Sequence, residues 1–208
     1  MRFSVIIPAY QAQNHIWKAL DSIASQTFRD FELIVVCDRC TDDTKKIAEF
    51  YLAKTLEVDF GRDGLTRNAG LDIAQGEYVL FCDDDDWFLH EFAFSMIDQK
   101  LKEENDPELL IYSFVWKGCG VTKPLNRFNE PYIAVWCKAW CRDWISDTRF
   151  SGVYSVSDLD FHKAMMKKPH RTVLYDTPLY YYNYLREGSI SAEMGRDCKG
   201  VKKAFGFK

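Results

Sequence analysis

The stretch Glu77-Tyr-Val-Leu-Phe-Cys-Asp-Asp-Asp-Asp-Trp87, EYVLFCDDDDW, runs a buried-strand pattern straight into four adjacent carboxylates. Four like charges in a row repel one another, more so where the site is partly desolvated. A solvated acidic turn would explain the charges alone. A strand tip that holds a cation or positions substrate hydroxyls would explain the strand as well. The neighbouring segments decide between the two.

Upstream, apolar runs alternate with helical patterns. FSVIIP (3–8) reads as a buried strand, and Ile16, Leu20, Ile23 and Ala24 give a helical stripe through HIWKALDSIASQ. FELIVVC (31–37) is a second strand. TDDTKKIAEFYL follows as a helix with Thr41 or Asp42 as N-cap candidate. KTLEVDF (54–60) predicts a strand, LTRNAGLDIA (65–74) a helix, and EYVLFC (77–82) a strand. Such alternation predicts an α/β fold with a mostly parallel central sheet flanked by helices. Ligands of such sheets sit beyond the carboxyl ends of the strands. The residues to read are therefore Pro8-Ala9-Tyr10, Asp38-Arg39, Phe60-Gly61-Arg62 and Asp83 to Asp86.

Downstream, LLIYSFVW (109–116) is another strand, and Gly118, Gly120 and Pro124 mark a loop. IAVWCKAWCRDWI (133–145) predicts a helix whose tryptophans at 136, 140 and 144 line one face, read first as core packing. SDLDFHKAMMKK predicts a helix with Ser157 as possible cap, and RTVLYD and LYYYNYL predict two late strands. No repeat or linker interrupts 1–208, which reads as one domain.

The 208 residues suffice for a core without staples, and 47% apolar with 28% charged residues is ordinary for a globular chain. A net charge of −4 argues against a nucleic-acid partner. No apolar run approaches the roughly 20 residues that cross a bilayer. The short apolar stretch in MRFSVIIPAY reads as a strand rather than a leader, which predicts a cytoplasmic protein, soluble or peripheral to a membrane. Seven irregularly spaced cysteines suit a reducing compartment better than a disulfide framework.

Asp83 and Asp85 share one face if the segment is extended, leaving Asp84 and Asp86 to the other face and the following turn. Two carboxylates cannot build a calcium cage of six to eight oxygens. They suit Mn²⁺ or Mg²⁺, which take further ligands from water and phosphate. Two other motifs compete nearby. CDRC (37–40) has the Cys-x-x-Cys placement of a thioredoxin-like redox site but leaves the strand-tip carboxylates unexplained. DRCTDDTKKIAE fails as an EF-hand loop because Asp43 holds the glycine position and Cys40 a ligand position.

The order of these motifs resembles family 2 glycosyltransferases with the GT-A fold. SVIIPAY, the helix ending in S-x-x-x-Q (Ser22 to Gln26) and ELIVVCDRCTDDT are similar to the family's opening. GLTRNAGLDIAQGEYVLFCDDDDW resembles its R-N and D-x-D segment, and VWCKAWCRDWI, FSGVYSVSDLDF and YLREGSIS its later elements. The resemblance spans about 3 to 192 and implies a donor half over 1–100, an acceptor half over 101–192 and a tail over 193–208. The whole stands alone or as one domain of a longer polypeptide.

The resemblance implies a role at each matching position. Asp38 would hydrogen-bond the uracil ring beside the backbone of Pro8 and Ala9 and the ring of Tyr10. Asp83 and Asp85 match the D-x-D pair, the first toward ribose and the second toward metal, with Asp84 counted in the same donor site. Arg67 would lie near the diphosphate. Asp158 matches the usual catalytic base, with Asp160 as alternative. The function implied is metal-dependent, inverting transfer from a UDP-sugar to a glycan or glycolipid hydroxyl. A nucleotide-sugar-binding module without turnover is the alternative. A nucleotidyltransferase ranks lower, because IPAYQAQNH lacks the glycines of a phosphate-binding loop.

Several positions depart from the family pattern. Cys37 replaces the first aspartate of a pair, and Arg39 with Cys40 replaces Gly-Ser, which predicts a turn that does not demand φ > 0 at Arg39. Gln11 stands for the usual asparagine and Ser157 for the glutamate before the base. His162 and His170 read as packed or solvent-facing, Lys138 and Arg142 as solvent-facing on their helix, and Arg186 as a residue that could close over the diphosphate.

Overall fold

The computed structural model describes residues 1–125, 130–153 and 157–184. The sequence resemblance at 185–192, Arg186 and the tail lie outside the described residues. β1 (Phe3–Ala9) is buried almost throughout because it is central, pairing in parallel with β2 (Phe31–Asp38) on one side and β4 (Tyr78–Phe81) on the other. β3 (Lys54–Val58) pairs with β2 in parallel at the sheet edge.

α1 (Ile16–Ala24) buries Ile16, Ala19, Leu20 and Ile23, the spacing of one helical face. α2 (Thr44–Phe50) starts later than the capping pattern predicts. Asp43 is its N-cap residue, yet Asp42 accepts the Thr44 N–H at 3.1 Å and so does the capping. α3 (Asp63–Ile73) packs on β1, and a Cβ at its Gly70 would lie 2.5 Å from Ile6, so only glycine permits that approach.

Beyond β4 the sheet becomes mixed. The strand order is β3-β2-β1-β4-β8-β6-β9-β5, with β5 (Trp87–Phe88), β6 (Leu109–Trp116), β8 (Lys138–Cys141) and β9 (Thr172–Tyr182). β7 (Gly120–Thr122) returns antiparallel along β6, so the expected loop at Gly118 and Gly120 is a hairpin. β8 runs antiparallel between β4 and β6. The predicted helix over 133–145 is therefore incorrect: only α5 (Arg142–Ile145) is helical, and Trp136 and Trp140 are core residues of a strand region. Trp136 stacks on Tyr180 with ring centres 4.9 Å apart. The two predicted late strands are one, β9, whose pairing with β6 is irregular between Tyr175 and Tyr180.

α4 (Ala93–Glu103) has no counterpart in the sequence reading, although Phe94, Ile97 and Leu101 carry its buried face. Its buried Asp98 receives Arg2 Nε at 2.8 Å. α6 (Ser157–Met166) completes the described elements. No helix among the described residues is long and apolar enough to cross a membrane.

Candidate active site

β1, β2 and β4 end together on one side of the sheet, and α3 and α6 bring two more groups to that side. At the end of β1, Ala9 is buried and the ring of Tyr10 is exposed. The Tyr10 N–H donates to Asp84 Oδ2 at 3.2 Å, and His15 Nε2 lies 3.3 Å from Asp84 Oδ1. At the end of β2, Asp38 Oδ1 accepts the N–H groups of Phe60 (2.8 Å) and Gly61 (3.0 Å). Its Oδ2 accepts the Arg62 N–H (3.2 Å) and the Thr66 hydroxyl (2.9 Å). Burial alone would raise this carboxyl, but the Gly61 and Phe60 N–H groups and Thr66 outweigh it and hold it below its usual value. Four donors fill the acceptor positions of a carboxylate. A uracil N–H at Asp38 would have to displace one of them.

Arg39 corrects an expectation. The turn does demand the left-handed region, and Arg39 adopts it at φ 55. Its guanidinium pairs with Asp59 and lies over Gly61, where an added Cβ would sit 2.5 Å from Nη1.

The acidic run is a turn rather than an extension of the strand, closed by the Asp86 N–H on the Asp83 carbonyl at 3.2 Å. Strict two-face alternation therefore fails. Asp83 Oδ1 accepts Arg67 Nη2 at 2.8 Å, while Asp84 turns to Tyr10 and His15. Asp86 points inward, fully buried, accepting the Tyr180 hydroxyl (2.9 Å) and the Asn183 N–H (2.8 Å). Asp85 is partly exposed, and its charge acts on both Asp83 and Asp86.

Arg67 is the hub. Its buried guanidinium bonds Asp63 at 2.8 Å and Asp83 at 2.8 Å, and lies 3.5 Å from Asp158 Oδ1. Asp63 in turn accepts the Ser157 hydroxyl at 2.6 Å. Ser157, expected as a helix cap, is inside α6 and ties it to α3 instead. Asp160 is exposed and accepts the Ser151 hydroxyl at 2.8 Å, away from this cluster. Asp63 and His15 were not singled out in the sequence, although Asp63 and Arg67 stand at the i, i+4 spacing of a helical ion pair.

Lys138 was expected in solvent and is fully buried on β8, its ammonium donating to the carbonyls of Tyr132 and Ala134. Burial lowers its pKa, and its charge reaches Asp158. Arg142, also expected in solvent, is half-buried with Nε on the Gly76 carbonyl at 2.7 Å. His162 is packed, and His170 lies against Trp144.

The pocket carries more acid than base. Burial, Asp158 and Asp85 push the Asp83 carboxyl up to about 7 in spite of Arg67. Burial likewise raises Asp158, against the pull of Arg67. Asp63 Oδ1 and Asp158 Oδ1 are buried without a hydrogen-bond donor. These surroundings fit a cation. Among the described residues no group of three or more metal-ligating side chains converges, so a cation at Asp83 and Asp85 would draw further oxygens from elsewhere.

The model of Glycosyl transferase family 2 matches residues 4–172, most of the chain. The chain belongs to glycosyltransferase family 2. It is 36% identical over 214 residues to the poly(ribitol-phosphate) beta-N-acetylglucosaminyltransferase TarS of Staphylococcus aureus, covering 90% of this chain and 36% of that protein. A poly(ribitol-phosphate) beta-glucosyltransferase of Bacillus spizizenii is 32% identical over 140 residues, 63% of this chain and 22% of its own length. The chain thus spans little more than a third of TarS, and its match covers less than a quarter of the Bacillus protein. Among solved structures, S. aureus TarS 1-349 in complex with UDP-GlcNAc superposes with a TM-score of 0.81 at 28% identity, over 92% of this chain and 61% of that one. The family 2 member described here has the GT-A fold of those structures.

Proposed function

We propose that the chain is a metal-dependent, inverting glycosyltransferase that moves a sugar from a UDP-sugar to a hydroxyl of a glycan or glycolipid acceptor. The observation that carries this reading is the buried Arg67, shared between Asp83 of the β4 turn and Asp158 of α6. One guanidinium links the group suited to a departing diphosphate with the group suited to an incoming hydroxyl. The UDP-GlcNAc complex of TarS supports a UDP-sugar as donor. Residues 1–100 would then hold the donor and 101–192 the acceptor, within one domain.

The residues act as follows. The β1 end (Pro8, Ala9, Tyr10) and the Asp38-organised loop receive the uridine, Tyr10 offering an exposed ring for stacking. Asp83 and Asp84 stand next to the ribose. Mn²⁺ or Mg²⁺ held by Asp83 and Asp85 would neutralise charge on the diphosphate. Arg67 is fixed by its carboxylates before substrate arrives, so it stabilises developing negative charge without reorganising. Asp158 presents a buried oxygen that accepts no hydrogen bond and lies 3.5 Å from Arg67, and burial brings its basicity nearer to working pH. It accepts the proton of the attacking hydroxyl, and a base on the face opposite the leaving group gives inversion. The exposed setting of Asp160 favours Asp158 over it for this role.

Thermal stabilisation and donor hydrolysis across a panel of nucleotide sugars, with and without Mn²⁺, test the reading. UDP-sugars should stabilise the protein, and the effect should vanish with EDTA or in Asp85→Ala. An equal response to purine nucleotides overturns the donor assignment. Asp158→Asn should keep UDP stabilisation while losing about 10²–10⁴-fold in transfer. Unchanged turnover would remove Asp158 from the mechanism.

A further inference from the structure

Cys37 and Cys40 take no part in the chemistry above, yet the fold brings their thiols together at the edge of the proposed nucleotide pocket. Cys37 is buried in β2, paired in register with Ala9 of β1. Cys40 is partly exposed, and its thiol donates to the Ala9 carbonyl at 3.4 Å. Between them the backbone reverses through Arg39 at φ 55, a conformation that costs a non-glycine residue roughly 1 kcal/mol, and the Arg39 N–H closes on the Val58 carbonyl at 2.9 Å. This reversal turns Cys40 back over the strand end and sets its thiol against Ala9, the β1 residue that pairs in register with Cys37. Both are free.

The pair is unequal in the manner that thiol–disulfide exchange needs. The exchange nucleophile must be accessible and carry thiolate, and the second thiol has only to reach its sulfur. The neighbouring Cys37 thiol lowers Cys40, while Cys40 and burial raise Cys37. The other free thiols offer no such partner arrangement: Cys82 and Cys137 are buried, and Cys141 sits half-buried on β8.

We propose that Cys37 and Cys40 form a thiol modification site, oxidised by small-molecule disulfides to an intramolecular disulfide that reshapes the nucleotide loop. The Cys40 thiolate attacks one sulfur of the oxidant, forming a mixed disulfide and expelling one thiolate. The Cys37 thiol loses its proton to solvent and attacks Cys40 Sγ, forming the Cys37–Cys40 bond and expelling the second thiolate. Two protein thiols are oxidised by two electrons, and one small-molecule disulfide is reduced to two thiols. Drawing Cys40 Sγ onto Cys37 takes it from the Ala9 carbonyl. It also closes a four-residue ring around Asp38, the anchor of the Phe60, Gly61 and Arg62 amides. The predicted consequence, weaker UDP binding in the oxidised form, rests on the donor-site reading above.

The test incubates the chain with glutathione disulfide and reads two quantities. Alkylation with peptide mass mapping should locate a Cys37–Cys40 link, reversed by dithiothreitol and lost in Cys40→Ser and in Cys37→Ala. The thermal upshift produced by UDP should fall several-fold on oxidation, recover on reduction, and stay insensitive to oxidant in both variants. A stable glutathione adduct on Cys40, or an oxidant-induced link from Cys37 or Cys40 to another cysteine, overturns the site. A Cys37–Cys40 link that leaves the UDP response unchanged overturns its effect on the loop. Absence of any UDP response in the reduced protein instead refutes the donor-site reading and the consequence drawn from it, while the mapped link still decides the modification.

Discussion

His162 is buried in α6 with its Nδ1 unpartnered, and burial, aided by Lys138 and His170, lowers its pKa to about 4. The folded protein therefore keeps this ring neutral where the unfolded chain, titrating near 6.5, takes up a proton. Stability from this group is complete above about pH 6.5 and is lost as pH falls toward 4, a change of roughly 2–3 kcal/mol. Asp83 acts in the opposite sense. Its carboxyl is raised to about 7 when folded, so its ionisation removes stability as pH climbs from about 4 to 7. The two slopes oppose each other in the wild-type curve, and a single substitution separates them. Urea denaturation of wild type and His162→Gln should show the wild-type advantage shrinking steadily from pH 7 to pH 4.5. A difference independent of pH would contradict a neutral buried ring.

Helix α3 meets α6 through Gly64, where a Cβ would lie 2.4 Å from the Ser151 carbonyl oxygen and 2.8 Å from Ser157 Cβ. A backbone oxygen cannot swing aside as a side chain can. Gly64→Ala should therefore force the elements apart, stretching the Arg67–Asp158 and Asp63–Ser157 contacts together. The expected result is a loss of about 1–3 kcal/mol in denaturation, with turnover reduced more than UDP binding. Equal losses in both would show that the seam does not govern the setting of Asp158. The same scale marks what the sequence could reveal. β1, β2 and β4 were legible because parallel strands buried on both faces read as unbroken apolar runs, and Asp38 and Asp83 stand at their ends, whereas Arg67, inside α3, was singled out only through the family resemblance. Residues 135–140 are also buried continuously, and at that length an apolar run does not distinguish helix from strand. Tryptophans four apart suggested the helix; the unpaired edges of β4 and β6, far away in sequence, impose the strand. Alternation beyond Phe81 misled for a related reason, since a hydrogen-bonded turn begins at Asp83.

Across the molecule, the acidic turn is held by the opposite end of the described chain. The Tyr180 oxygen accepts the Asp83 N–H at 3.1 Å, while its hydroxyl proton goes to Asp86, which also takes the Asn183 N–H. Tyr180→Phe keeps the ring stacked on Trp136 but strips both contacts from the turn. It should cost about 1–3 kcal/mol, measured by denaturation, and weaken Mn²⁺-dependent UDP stabilisation. An unchanged metal response would mean that the turn holds its shape without β9.

That latch also sets an order of events during synthesis. A ribosome releases the β1, β2 and β4 segments long before the residues that complete their turn. Until β9 emerges and docks, Asp86 has neither of its donors, although Asp83 and Asp84 already have Arg67, Tyr10 and His15. The nascent chain can assemble its parallel strands early, yet the acidic turn is completed only with nearly the last described segment.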